Sequence, residues 1–97
     1  MQTVSMGRQR TTLERACVLY ERDGGTIRHI QHVIVMEGGY APSEKEVEEM
    51  ARRALSKRGR KHDTLDALHV RRDALRDFAV YRVDPGRKVL VEHRSSR

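Results

Sequence analysis

Five histidines and one cysteine are the side chains in this 97-residue sequence that could gather a transition metal, and Cys17 with the serines could supply a nucleophile. A zinc centre needs three or four such ligands converging on one point. His29 and His32 are the closest pair, yet three residues apart on a strand places them on opposite faces, about 10 Å of chain apart. His62, His69 and His93 have no neighbouring ligand at zinc spacing, so neither a metal site nor a cofactor is expected. His32 and His69 read instead as partly buried strand residues with satisfied hydrogen bonds. Cys17 lies inside the apolar run Ala16-Cys17-Val18-Leu19-Tyr20, where a thiol is core material and inert. Ser5, Ser43, Ser56, Ser95 and Ser96 fall in tails, a cap or a helix, and none occupies a glycine-flanked elbow. Gly24-Gly25 and Gly38-Gly39 lack the spacing of a phosphate-cradling loop and read as turns. No catalytic residue is expected, and the chain reads as non-enzymatic.

Cations are the remaining chemistry. Twenty Lys and Arg against fourteen Asp and Glu give a formal charge of +6. Arg52, Arg53, Lys57, Arg58, Arg60 and Lys61 fall within residues 52–62 with no acid among them, and the rest of the chain balances to zero. The excess is therefore one basic pole, suited to the phosphates of a nucleic acid or to an acidic partner. Arg71, Arg72 and Arg76 would join it if the fold brought them near. Stacking on bases needs aromatic side chains, and only Tyr20, Tyr40, Phe78 and Tyr81 exist. Any nucleic-acid binding would be electrostatic and poor in sequence preference. A single long helix excludes a helix-turn-helix pair, and the Gly59-Arg60 junction is no KH clamp.

The same charge order also serves the helix that carries it. Ser43-Glu44-Lys45-Glu46 reads as a capping box, with Pro42 before it and Gly59 as a left-handed stop. Glu44, Glu46, Glu48 and Glu49 then sit at the positive end of the macrodipole and Arg52, Arg53, Lys57 and Arg58 at the negative end, each favourable by about 0.3–1 kcal/mol. Glu48–Arg52 and Glu49–Arg53 are i,i+4 pairs in the favourable order. Val47, Met50, Ala51, Ala54 and Leu55 give this helix one apolar stripe.

Strands must supply the surface on which that stripe rests. Residues 16–20 and 26–36 are β-prone and are joined through Asp23-Gly24-Gly25, a hairpin turn with positive φ angles. Residues 65–70, 78–83 and 89–93 read as three further strands, with a helical turn over 73–76 and an Asp84-Pro85-Gly86-Arg87 turn. The order is ββαβββ, an α+β fold with a small antiparallel sheet and one amphipathic helix packed on one face. Ile27 is out of phase with Ile30, which places a bulge near Arg28 and His29.

Both faces of the first two strands carry apolar residues, while one helix covers one face. Val18, Val33, Val35 and either Phe78 with Val80 or Tyr81 with Val83 would then line an open face. A partner interface at Val18, Val33, Val35 and Val80 is expected, made with a second copy in a homodimer or with another protein. The ordered domain is read as residues 14–94, with a disordered basic arm over 1–13 and a frayed tail over 95–97. No apolar run exceeds five residues, far short of the roughly 20 that cross a bilayer, so no membrane contact is expected. The charged start argues against export, and the lone cysteine suits a reducing cytoplasm.

One resemblance bears on activity. Tyr81-Arg82-Val83-Asp84 and Val89-Leu90-Val91-Glu92-His93-Arg94 resemble the closing hairpin of RelE-type toxins, small basic proteins that cleave RNA on the ribosome. The resemblance implies phosphate binding and proton transfer by Arg82, His93 and Arg94. It covers about 14 residues, and that family opens with a strand and a helical hairpin where this chain opens with two strands. Three expectations follow: foremost a dimeric protein-interaction module, then a non-specific nucleic-acid binder acting through the basic pole, then a RelE-like ribonuclease.

Overall fold

In the computed structural model, which describes residues 11–76 and 79–93, the element order is β1 (Thr11–Glu21), β2 (Ile27–Met36), α1 (Glu44–Lys57), β3 (Leu65–Arg71), a 3₁₀ turn (Arg72–Ala74), β4 (Val80–Asp84) and β5 (Val89–His93). β1 is the central strand of an antiparallel β2-β1-β3 sheet, and β4 pairs with β5 in a second, two-stranded sheet. The α+β class and the order of elements match the sequence reading. β1 begins at Thr11, so residues 11–13 of the expected arm belong to the strand. Residues 1–10, Phe78 and the 94–97 tail lie outside the described residues.

The β1–β2 turn takes the form its glycines require, with φ of +93° at Gly24 and +80° at Gly25. Leu19 pairs with His29 and Tyr20 with Ile27, so Arg28 is the extra residue of a bulge. That bulge reverses the phase of β2, and the expectation placed there is met. Cys17, Leu19, Val33, Val35 and Leu65 then face α1, which packs Val47, Ala51 and Leu55 into them. Val18 and Tyr20 point the other way.

The second face is where the structure corrects the sequence reading. Val18, Tyr20 and Val83 form a second buried cluster, flanked by Ile27, Ile30, Leu68, Val70 and Leu90. The β4–β5 hairpin is the cover: it lies over the face opposite the helix and hydrogen-bonds back to the sheet, with the Val83 N–H donating to the Gly25 carbonyl at 2.9 Å. Val18, Val33 and Val35 are all buried within one chain, and they belong to two different faces. The alternation of β1 against β2 fixes this, since Val18 pairs with Ile30 while Val33 pairs with Arg15. Of the four expected interface residues only Val80 stays out, at 62 % exposure on the outer side of the hairpin.

Candidate nucleic-acid interface

The helix that carries the basic pole starts and stops as its sequence dictates. The Ser43 hydroxyl accepts from the Glu46 N–H at 3.1 Å, and the Glu46 carboxylate accepts from the Ser43 N–H at 2.9 Å and from the Tyr40 hydroxyl at 2.7 Å. The Tyr40 hydroxyl foremost, and then the Ser43 N–H, hold the Glu46 carboxyl below its ordinary range. At the other end the Arg60 N–H donates to the Leu55 carbonyl at 3.0 Å and the Gly59 N–H to the Ser56 carbonyl at 2.9 Å. This is a Schellman stop, with Gly59 at φ +74°. It turns the chain sharply and fixes where Arg58, Arg60 and Lys61 leave the helix.

Arg52 does not stand free with the rest of the pole. Its guanidinium is half-buried and reaches the Glu48 carboxylate at 2.9 Å, the His62 carbonyl at 2.6 Å and the Leu65 carbonyl at 3.0 Å. Three partners from α1, the following loop and the start of β3 make it a strut that holds residues 58–64 against the helix. Charge-assisted bonds of this kind, partly shielded from water, are stronger than exposed ion pairs. The remaining members, Arg53, Lys57, Arg58, Arg60 and Lys61, are all exposed, and none has a carboxylate within 4 Å among the described residues. Glu48–Arg52 forms as expected, whereas Glu49–Arg53 does not close. Arg53 and Lys57 instead stand one helical turn apart as like charges, an arrangement unfavourable by a few tenths of a kcal/mol.

A groove of about 380 Å³ opens beside this loop, lined by Arg60, Lys61, Thr64, Leu55, Arg28 and Glu21 among others. It joins the basic loop to the β1–β2 turn, so the pole occupies one end of the sheet. Arg71, Arg72 and Arg76 do not join it. Arg71 pairs with Arg15 at the opposite end of β3 from Leu65, and seven strand residues set the two ends about 20 Å apart. Each of these three arginines is neutralised, by Asp73, Glu14 and Glu92 respectively.

Arg72 and Arg76 line a larger groove of about 640 Å³ on the hairpin side, together with Glu14, Ile30, His32 and Tyr81. His32 is exposed there and not partly buried as the sequence suggested. The Tyr81 hydroxyl accepts from the Arg76 N–H at 2.7 Å, and the charges around it pair among themselves. Arg82 is exposed on β4, His93 ends β5, and Arg94 lies outside the described residues.

Nucleophilic chemistry finds no opening at Cys17. The thiol is fully buried beneath α1, paired in register with His69, and burial with the nearby Glu48 charge pushes its pKa up to about 12. His69 stands 3.8 Å from Glu48, and both are half-buried, whereas the thiol itself has no exposed surface. His29 bonds to Gln31 at 3.1 Å on the helix side, and His32 points to the other face, as their spacing implies.

Sequence reasoning missed Arg87 and Lys88 at the β4–β5 turn. They are exposed and, among the described residues, have no carboxylate within 4 Å. The turn was legible in Asp84-Pro85-Gly86, but not the end of the molecule at which it would sit. No helix among the described residues is long and apolar enough to cross a membrane. Comparison with known proteins finds no matching family model, no matching curated protein and no matching solved structure.

Proposed function

We propose that this chain is a binding module that grips the phosphate backbone of a nucleic acid through the basic end of α1 and the loop after it, without catalysing a reaction. The observation that carries the reading is the division of labour within the pole. Arg52 is consumed in holding the loop, while five cations beside it stay exposed and, among the described residues, unpaired on a framework fixed by the Schellman stop. Exposed cations that a fold leaves uncompensated, at some cost in helix repulsion, suit an anionic partner. The buried thiol and the mutually paired groups of the larger groove support binding over catalysis. A free, sealed Cys17 suits work in the reducing cytoplasm.

Retention on immobilised DNA and a salt titration of affinity test this. The slope of log affinity against log salt should be about 0.9 for each duplex phosphate contacted. Arg53→Glu with Lys57→Glu and Lys61→Glu should abolish retention while leaving the circular dichroism spectrum intact; unchanged retention dismisses the reading.

A protein partner, including a second copy of this chain, is the second reading. It is favoured by Val80 and Val89, which stand 62 % and 43 % exposed on the outer side of the hairpin. Sedimentation at micromolar concentration tests the second copy, since a monomer that binds DNA leaves the homodimer without support.

A further inference from the structure

The β4–β5 turn brings a second set of cations to the basic end. β4 runs out along the sheet toward the β1–β2 turn, where the Val83 N–H reaches the Gly25 carbonyl and a Cβ placed on Gly25 would stand 3.4 Å from Cδ of Pro85. Residues 85–88 therefore project at the end of the sheet where Arg60 and Lys61 lie. The turn is well braced. The Arg87 N–H donates to the Asp84 carboxylate at 3.2 Å, the Lys88 N–H donates to the Asp84 carbonyl at 2.7 Å, and Lys88 holds a φ of +56°. A lysine in that region is uncommon, and here it closes the turn.

These two basic groups stand on opposite sides of the sheet. The helix packs on the Cys17 and Leu19 side, the hairpin on the Val18 and Tyr20 side. Adjacent layers are separated by about 10 Å, so the prongs are about 20 Å apart. Between them Asp66 is paired to Arg22 at 2.8 Å, Glu21 to Arg28 at 2.6 Å, and the Asp84 carboxylate is turned onto the N–H groups of its own turn. Asp23 and Asp63 are left to oppose the cations.

Resting on the backbone-binding reading, we propose that the loop over residues 58–61 and the turn bearing Arg87 and Lys88 form a two-pronged clamp on a double-stranded nucleic acid. The span decides for a polymer: at about 3.4 Å per base pair, 20 Å corresponds to roughly six base pairs, beyond the reach of a nucleotide. The side chains decide for a duplex. Single strands are held by aromatic platforms as well as charge, and among the described residues the aromatic near this end, Tyr20, is fully buried. Paired bases need no such platform.

Fluorescence anisotropy with a labelled 20-base-pair duplex, a hairpin with a 4-base-pair stem, and a 20-nucleotide single strand tests the clamp, across a salt series. Arg87→Glu with Lys88→Glu should weaken binding of the long duplex about tenfold and lower its salt slope by about 1.8, while binding of the 4-base-pair stem stays within twofold of the native chain. Lys57→Glu with Lys61→Glu should abolish binding of both. If the turn variant binds the long duplex like the native chain while the helix variant loses it, the clamp is wrong and backbone binding stands. If neither pair of substitutions matters, both are wrong. A single strand bound as tightly as the duplex, or anionic phospholipid vesicles bound as tightly as either, overturns the assignment to a duplex.

Discussion

The two faces of the β2-β1-β3 sheet carry similar strands and are covered very differently. On one, a 14-residue helix lays a continuous apolar stripe over Cys17, Leu19, Val33 and Val35, and the layer closes. On the other, a hairpin of two five-residue strands covers Val18 and Tyr20 with Val83, leaving Ile30, Leu68 and Val70 half-buried and Ile34 at 49 % exposure. A helix can present a wide apolar stripe from one local segment, whereas a short hairpin offers alternate residues of two strands. The helix side therefore holds the fold, and the hairpin side is the part most easily opened. Both reach the same basic end, which makes their relative stability relevant to any ligand that needs both prongs.

The sharpest break of this asymmetry is Leu55→Ala. Leu55 is fully buried, bonded through its carbonyl to the Schellman stop, and central to the helix-side core. The substitution should cost about 2–5 kcal/mol, measured as a shift of the urea midpoint, with loss of the basic loop's geometry as a consequence. A cost below 1 kcal/mol would show that the helix is not the principal cover.

Alkaline pH acts on the same side. The unfolded chain ionises Cys17 above about pH 9, and the folded chain only near 12, so the unfolded state binds fewer protons across that window. Stability should fall as pH rises from 9 to 12, by at most about 1.4 kcal/mol per pH unit from this thiol, and be fully present below 9. In Cys17→Ala, which loses some packing at pH 8, that part of the slope should disappear. Equal slopes in both proteins would place the thiol in contact with water.

Gly25→Ala loosens the other face. A Cβ there would fall 1.7 Å from the Val83 carbonyl oxygen, and Gly25 sits at φ +80°, so the hairpin must move away from the sheet. The obstacle is backbone and cannot rotate aside. We expect about 1–3 kcal/mol of destabilisation, with amide exchange at Val83 accelerated far more than at Leu19. Uniform acceleration would mean that the two covers unfold as one unit.

Local chemistry was legible and layer assignment was not. The capping box, Gly59 stop, Asp-Gly-Gly turn and Arg28 bulge each follow from interactions within a few residues, and each is present. Alternation along β1 also revealed that both faces are apolar. What it could not reveal is whether a later strand joins the sheet's edge or lies on its face, because both solutions bury the same alternate residues. Reading residues 78–83 and 89–93 as strands of the same sheet leaves its second face to a second copy or another protein. Arg52 failed for a related reason: charge and exposure look alike in sequence, and the carbonyls of His62 and Leu65 that engage it are ten or more residues away.

The smallest expected effect probes how well the hairpin face is satisfied. Tyr20 is fully buried against Val18 and Val83, yet its hydroxyl has no hydrogen-bond partner among the described residues. Burial foremost, and then the neighbouring Asp66 charge, raise its pKa above the ordinary phenol value. A hydroxyl removed from water and left unpaired costs about 1–3 kcal/mol, whereas phenylalanine keeps the ring's packing without that penalty. Tyr20→Phe should therefore be neutral or stabilising, by up to about 1 kcal/mol, where deletion of a paired tyrosine hydroxyl would destabilise by a similar amount. The sign is the informative quantity. A loss of stability would mean that the hydroxyl is bonded in solution, and that the hairpin face is held by a polar contact as well as by Val83.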